Sequence, residues 1–84
     1  MVQAMIPALD ATLRRRFTFF EHLGTLNHRG MHLIDPWTIG TTLGFSHDET
    51  EYVLASLAQV GWIERIGRDS GERVALTVKG LARL

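Results

Sequence analysis

The chain contains no cysteine, which removes disulfide frameworks and thiolate zinc sites and fits a reducing compartment. It has two prolines and no low-complexity tract, and 45% of its residues are hydrophobic, so a packed core is expected rather than a disordered chain. No apolar run approaches the roughly 18 residues of a membrane-spanning helix. The start, MVQAMIPALD, lacks the basic flank and apolar centre of a secretory signal, and a cytoplasmic location is expected. Nine basic residues balance nine acidic ones, which argues against a surface that holds nucleic acid by bulk charge. A Gly-rich phosphate loop, a nucleophile elbow and a paired acid and base are also missing, so neither enzymatic activity nor a cofactor is expected. The histidines at 22, 28, 32 and 47 do not fall at paired ligand spacing on one element, and no metal site is expected.

What is present fits one domain over residues 1–84, near the lower size at which a single core is self-sufficient. Its charges are unevenly distributed. Residues 1–46 sum to +1, residues 47–64 to −4 and residues 65–84 to +3.

The clearest pattern lies between residues 46 and 80. Ser46 followed by Glu49 is a capping box, in which the serine oxygen accepts a backbone N–H and the glutamate reaches back to the cap. A helix is therefore predicted from Ser46 to Val60, ended by Gly61, with Val53, Leu54, Leu57, Ala58 and Val60 buried and His47, Thr50, Glu51, Ser56 and Gln59 exposed. Two β-type runs, one with Trp62, Ile63 and Ile66, the other with Val74, Leu76 and Val78, flank the polar connection Arg68-Asp69-Ser70-Gly71 as in a hairpin. The tail KGLARL begins another helix.

In the front half, Leu9, Leu13, Phe17, Phe20 and Leu23 recur at helical spacing from about Ala8 to Asn27, with Pro7 in the first turn. Arg29-Gly30 breaks this helix, and Met31 to Ile34 is read as a very short strand against the hairpin. Asp35-Pro36 is an N-cap followed by proline at the first helical position and opens a second helix through Leu43. Phe45, just before the Ser46 cap, anchors the turn between the second and third helices.

The order helix, short strand, helix, turn, helix, two-stranded wing resembles the winged helix-turn-helix regulators, particularly MarR-type and related small prokaryotic transcription factors. The likeness covers about residues 8–82. Its most specific pieces are Leu57-Ala58-Gln59-Val60-Gly61-Trp62-Ile63-Glu64-Arg65 and, after the wing, Leu76-Thr77-Val78-Lys79-Gly80. The resemblance implies an α+β fold with a three-helix core and a two- or three-stranded antiparallel wing sheet. It also implies sequence-selective binding of double-stranded DNA by a repressor-like homodimer, with the third helix in the major groove. Carried over by position, the readers are Ser46, His47, Thr50 and Glu51, with Arg68 and Arg73 as wing contacts.

Each of these has a plainer reading. Asp48 and Glu49 are explained by their place in the first helical turn, where negative charge is favoured; Glu51 is not. Arg68 and Arg73 suit a solvated hairpin with local pairs, Arg68 with Asp69 or Glu72 with Arg73. Arg14, Arg15 and Arg16 span nearly a full turn and cannot share one face. Phe19 and Leu26 lie to one side of the first helix's stripe, either covered by the other helices or forming a dimer interface. Trp37 and Trp62 are expected in packing. Two other functions fit the pattern: a winged-helix module that binds a basic protein through its acidic third helix, and a replication or mobile-element accessory factor. With no long helix beyond Leu84, a dimer is expected to use the first helix or the wing.

Overall fold

The computed structural model describes residues 6–68 and 71–84. Among them the chain is α+β, in the order α1 (Ile6–His28), α2 (Pro36–Thr42), α3 (His47–Gln59), β1 (Ile63–Ile66), β2 (Arg73–Leu76) and α4 (Val78–Leu81). No described helix is long and apolar enough to cross a membrane.

The helices start and stop where local chemistry requires. Asp35 caps α2, its carboxylate accepting the backbone N–H of Trp37 at 3.0 Å, with Pro36 in the first turn where no donor is needed. Ser46 and Glu49 complete the capping box of α3: Glu49 N–H donates to Ser46 Oγ at 3.1 Å and Ser46 N–H to Glu49 Oε1 at 2.8 Å. At the other end of α2 and α3, Gly44 (φ 77°) and Gly61 (φ 79°) adopt the left-handed conformation, which glycine reaches without a Cβ clash. The apolar residue after each glycine then donates back into the helix, Phe45 N–H to Gly40 O and Trp62 N–H to Leu57 O, the bond pattern that satisfies final carbonyls. Met31 N–H closes α1 on Leu26 O in the same way.

The sheet is antiparallel, pairing Ile63 with Leu76, Glu64 with Ala75, Arg65 with Val74 and Ile66 with Arg73. The third strand expected from Met31 to Ile34 contracts to one bridge, in which Ile34 and Val74 exchange backbone hydrogen bonds of 2.9 and 2.8 Å. The tail helix begins at Thr77, whose hydroxyl accepts from Gly80 N–H at 2.9 Å and donates to Gly61 O. A Cβ on Gly80 would overlap the Trp62 carbonyl, so the Thr77 and Gly80 pair docks α4 against the chain entering β1.

The core comprises Phe19, Phe20 and Leu23 of α1, Ile34, Ile39 of α2, Val53, Leu54 and Leu57 of α3, Ile63 and Val74. This corrects the expected face of α1. Phe19 is fully buried and Leu26 packs against the core, so Phe19 is not a dimer-interface residue; Leu13 and Phe17 are 53% and 61% exposed. At 100° per residue, Phe19, Phe20, Leu23 and Leu26 span an arc centred near Leu23, and Phe17 lies about 120° from that centre. Leu9 lies outside the described side chains. Val60, expected inside, is the C-cap of α3 and 39% exposed. Trp62 is half-buried on Phe20, with ring centroids 5.0 Å apart, and Arg83 Cζ lies over the Trp62 ring, 5.4 Å from its centroid.

Thr50 is a second correction. It is 2% exposed, its hydroxyl donates to Ser46 O at 2.9 Å, and it lies against Gly40 of α2. A Cβ at Gly40 would overlap that hydroxyl, so the absence of a side chain there sets how closely α2 approaches α3. Gly40→Ala is expected to destabilise the domain by about 1–3 kcal/mol through overpacking, and by clearly less in a Thr50→Ala background. Urea denaturation of the four combinations measures the coupling; equal costs in both backgrounds would sink the assignment.

Candidate functional site

One open groove runs between the start of α3 and the hairpin, lined by Asp35, Trp37, His47, Glu51, Arg65, Gly67, Arg68 and Glu72. It gathers three of the six residues assigned to DNA from the sequence: His47, Glu51 and Arg68. Ser46 is committed to its cap, Thr50 is buried, and Arg73 stands beside the groove with Nη1 donating to Glu72 O at 2.8 Å.

The floor is organised by Arg65. Its place opposite Val74 puts it on the inward side of β1, with Ile63. There its guanidinium forks onto Glu51, Nη1 to Oε2 at 2.8 Å and Nη2 to Oε1 at 2.9 Å. The same group binds Glu72 through Nε to Oε2 and Nη2 to Oε1. Glu72 is 6% exposed, so the carboxylate read as a solvated partner of Arg73 is an inward group that Arg65 neutralises. Glu51 and Glu72, in that order, raise Arg65 above its ordinary value; in return the Arg65 hydrogen bonds, opposed by burial, hold Glu51 below the usual carboxylate range.

Glu51 is expected from the sequence as an exposed residue of α3 and a reader of DNA. Both its oxygens are instead taken by Arg65. The other acids of α3 divide similarly. The Ser46 N–H, opposed by burial and aided by the Arg15 charge, holds Glu49 below its ordinary value, and Arg15 Nη2 lies 3.1 Å from Glu49 Oε2. Asp48 is fully exposed, with His47 Nδ1 at 3.9 Å. Burial pushes Asp35 up, but the Trp37 N–H, the Thr38 hydroxyl and N–H, and Arg73 together hold it below its usual value.

The basic residues were partly misplaced by sequence. Arg16 donates to Ser56 Oγ at 2.6 Å and Arg15 meets Glu49, so two of the three consecutive arginines clamp α1 to α3. The expected Arg68–Asp69 pair falls outside the described residues. Arg68 is exposed and takes no hydrogen-bond or ion-pair partner among those described. Arg65 was missed altogether. Its signal was the alternation of Ile63-Glu64-Arg65-Ile66, which puts an arginine on the side of buried Ile63 and obliges it to find a carboxylate.

Comparison with protein-family models, curated proteins and solved structures finds no match. The reading of the groove therefore rests on its own chemistry.

The acid groups predict a direction. Asp35, Glu49 and Glu51 are more acidic folded than unfolded, so the folded chain binds fewer protons. Their stabilisation is complete above the unfolded values, about 3.9–4.3, and is lost as pH falls through the folded ones. Stability from urea denaturation is expected to fall below about pH 4.5, and Glu51→Gln to make that fall shallower; a fall of unchanged steepness would detach Glu51 from it. At neutral pH, Arg65→Met is expected to cost about 2–3 kcal/mol, less than a fully buried pair because Glu51 is partly solvated.

Proposed function

We propose that the chain is a winged-helix DNA-binding domain serving a small cytoplasmic transcriptional regulator, with α3 in the major groove and the β1–β2 hairpin as the wing. The element order supports it, with the Ile34 bridge standing where the third wing strand belongs. The observation that carries it is the Arg65 fork. By binding Glu51 and Glu72, Arg65 occupies the oxygens of both carboxylates and cancels one of their two negative charges, and leaves His47 and Arg68 among the residues at the groove's surface. The same pairing weakens the protein-adaptor reading, because Asp48 is then the acid of the first turns of α3 left open to a basic partner. A replication or mobile-element factor would use the same surface for the same DNA chemistry.

The test is binding of mixed-sequence duplex DNA across a salt series. Each phosphate neutralised adds about 0.9 to the slope of log affinity against log salt. Arg68→Ala is expected to weaken binding to all sequences and lower the slope by about one. Arg73→Ala should do less, since its guanidinium is partly engaged by the Glu72 carbonyl. No measurable duplex binding at low salt would remove the reading and favour the adaptor.

A single small module buries about 600–1,000 Å² on DNA, at the low end for specific recognition, so the regulator is proposed to act as a homodimer. With Phe19 in the core, exposed Leu13 and Phe17 of α1 are the apolar residues proposed for the seam. Phe17→Asp is expected to keep its fold and to sediment as a monomer. A parent chain that is monomeric at micromolar concentration would exclude this dimer.

A further inference from the structure

Trp37, the second residue of α2, and His47, the first of α3, lie face to face with ring centroids 4.5 Å apart and planes within 3°. The two residues are held very differently. Trp37 packs against the core, follows buried Pro36 and is tied through its own N–H to the Asp35 cap. The His47 side chain is 77% exposed and lies at the groove shared with Arg68 and the Glu51–Arg65 fork. An exposed histidine ordinarily samples several rotamers. Here a fixed indole restricts the imidazole to one plane. Its Nδ1 edge faces Asp48 at 3.9 Å, too far for a hydrogen bond, and Nε2 has no hydrogen-bond partner among the described residues.

We propose that Trp37 is a positioning residue for base recognition, holding His47 so that its outward N–H meets the acceptor edge of one guanine. This rests on the DNA reading above. The choice of guanine follows from the chemistry of the groove edges. Guanine places two adjacent acceptors, N7 and O6, in the major groove, so a single N–H donor finds a partner over a range of approach. Adenine sets an amino donor beside N7, cytosine offers a donor, and thymine sets a methyl group beside its one acceptor. The stack also gives α2 a part in specificity, although its own side chain need not touch a base. A core or packing role for Trp37 alone predicts a change in stability without a change in base preference.

The experiment selects bound duplexes from a randomised pool with the full chain and its variants, then measures affinity for the preferred site and its single-base substitutions. His47→Ala should lower the preference for G·C at one position on the order of ten-fold, with the salt slope unchanged. Trp37→Leu should lose the preference at that same position, Trp37→Phe should retain most of it, and Trp37→Leu added to His47→Ala should change it no further. Thermal melting of each variant reports folding, and the phenylalanine variant keeps the inference exposed should Trp37→Leu unfold, since loss of the preference in folded Trp37→Phe also overturns it. Full discrimination in folded Trp37→Leu, a further loss in the double variant, or a His47-dependent preference for another base overturns the proposal while leaving DNA binding intact. A parent that binds no duplex at low salt overturns the DNA reading itself.

Discussion

Arg65 joins α3, β1 and the chain entering β2 through one guanidinium. It makes two hydrogen bonds to Glu51 and two to Glu72. An arginine that leaves water incurs a desolvation cost, and the attraction of its partners offsets that cost only with good geometry and few idle donors. The planar fork meets both conditions, which lysine would not. Once formed, it fixes the hairpin against the N-terminal half of α3, because displacing the helix would strip Glu51 of its counter-charge and leave the guanidinium with Glu72 alone. The groove walls are thus set by an ion pair, and hydrophobic packing lies beneath them.

The other wall is set by the approach of α2 to α3. Gly40 lets Thr50 seat its hydroxyl between the helices, and that hydroxyl returns to Ser46 O within α3. Ser46 and Asp35 cap adjacent helix starts, and each start carries a ring into the groove, His47 and Trp37. Residues assigned to recognition by position alone therefore divide by role. Thr50 and Ser46 place the helix, while His47 is presented by it.

Elements marked by local chemistry were legible in the sequence. The Ser46 and Glu49 box, the Asp35-Pro36 start, the glycine stop at 61 and the hairpin each depend on residues within a few positions, and the structure places them as expected, except that Val78, read into the second strand, opens α4. What was not legible depended on partners far along the chain. Glu51 and Arg65 are 14 residues apart, and their pairing follows from the register of a sheet that sequence does not specify. Arg16 and Ser56 are 40 apart. The buried face of α1 was misjudged for a related reason: helical spacing identifies an apolar stripe, but Phe19 and Phe17 both extend it, and only the placement of α2 and α3 decides which is covered. Thr50 was read as exposed because its polarity was weighed without the vacancy above Gly40.

The charge contrast along the chain, with an acidic middle between basic flanks, has its explanation in the same pairings. Arg15 from the first segment meets Glu49, and Arg65 from the last meets Glu51, so two of the three acids of α3 are paired with the segments on either side, and Asp48 stays open. Little net charge then remains to draw a polyanion from a distance, since exposed charges are screened within about 10 Å at 0.1 M salt. On the DNA reading, this shifts the work from long-range attraction to contacts at the surface. Arg68 supplies a phosphate partner, and a stacked imidazole supplies an oriented donor. A chain with zero net charge gains little from sequence-independent binding, so on the DNA reading base contacts, and the second copy in the proposed homodimer, would carry a larger share of the affinity.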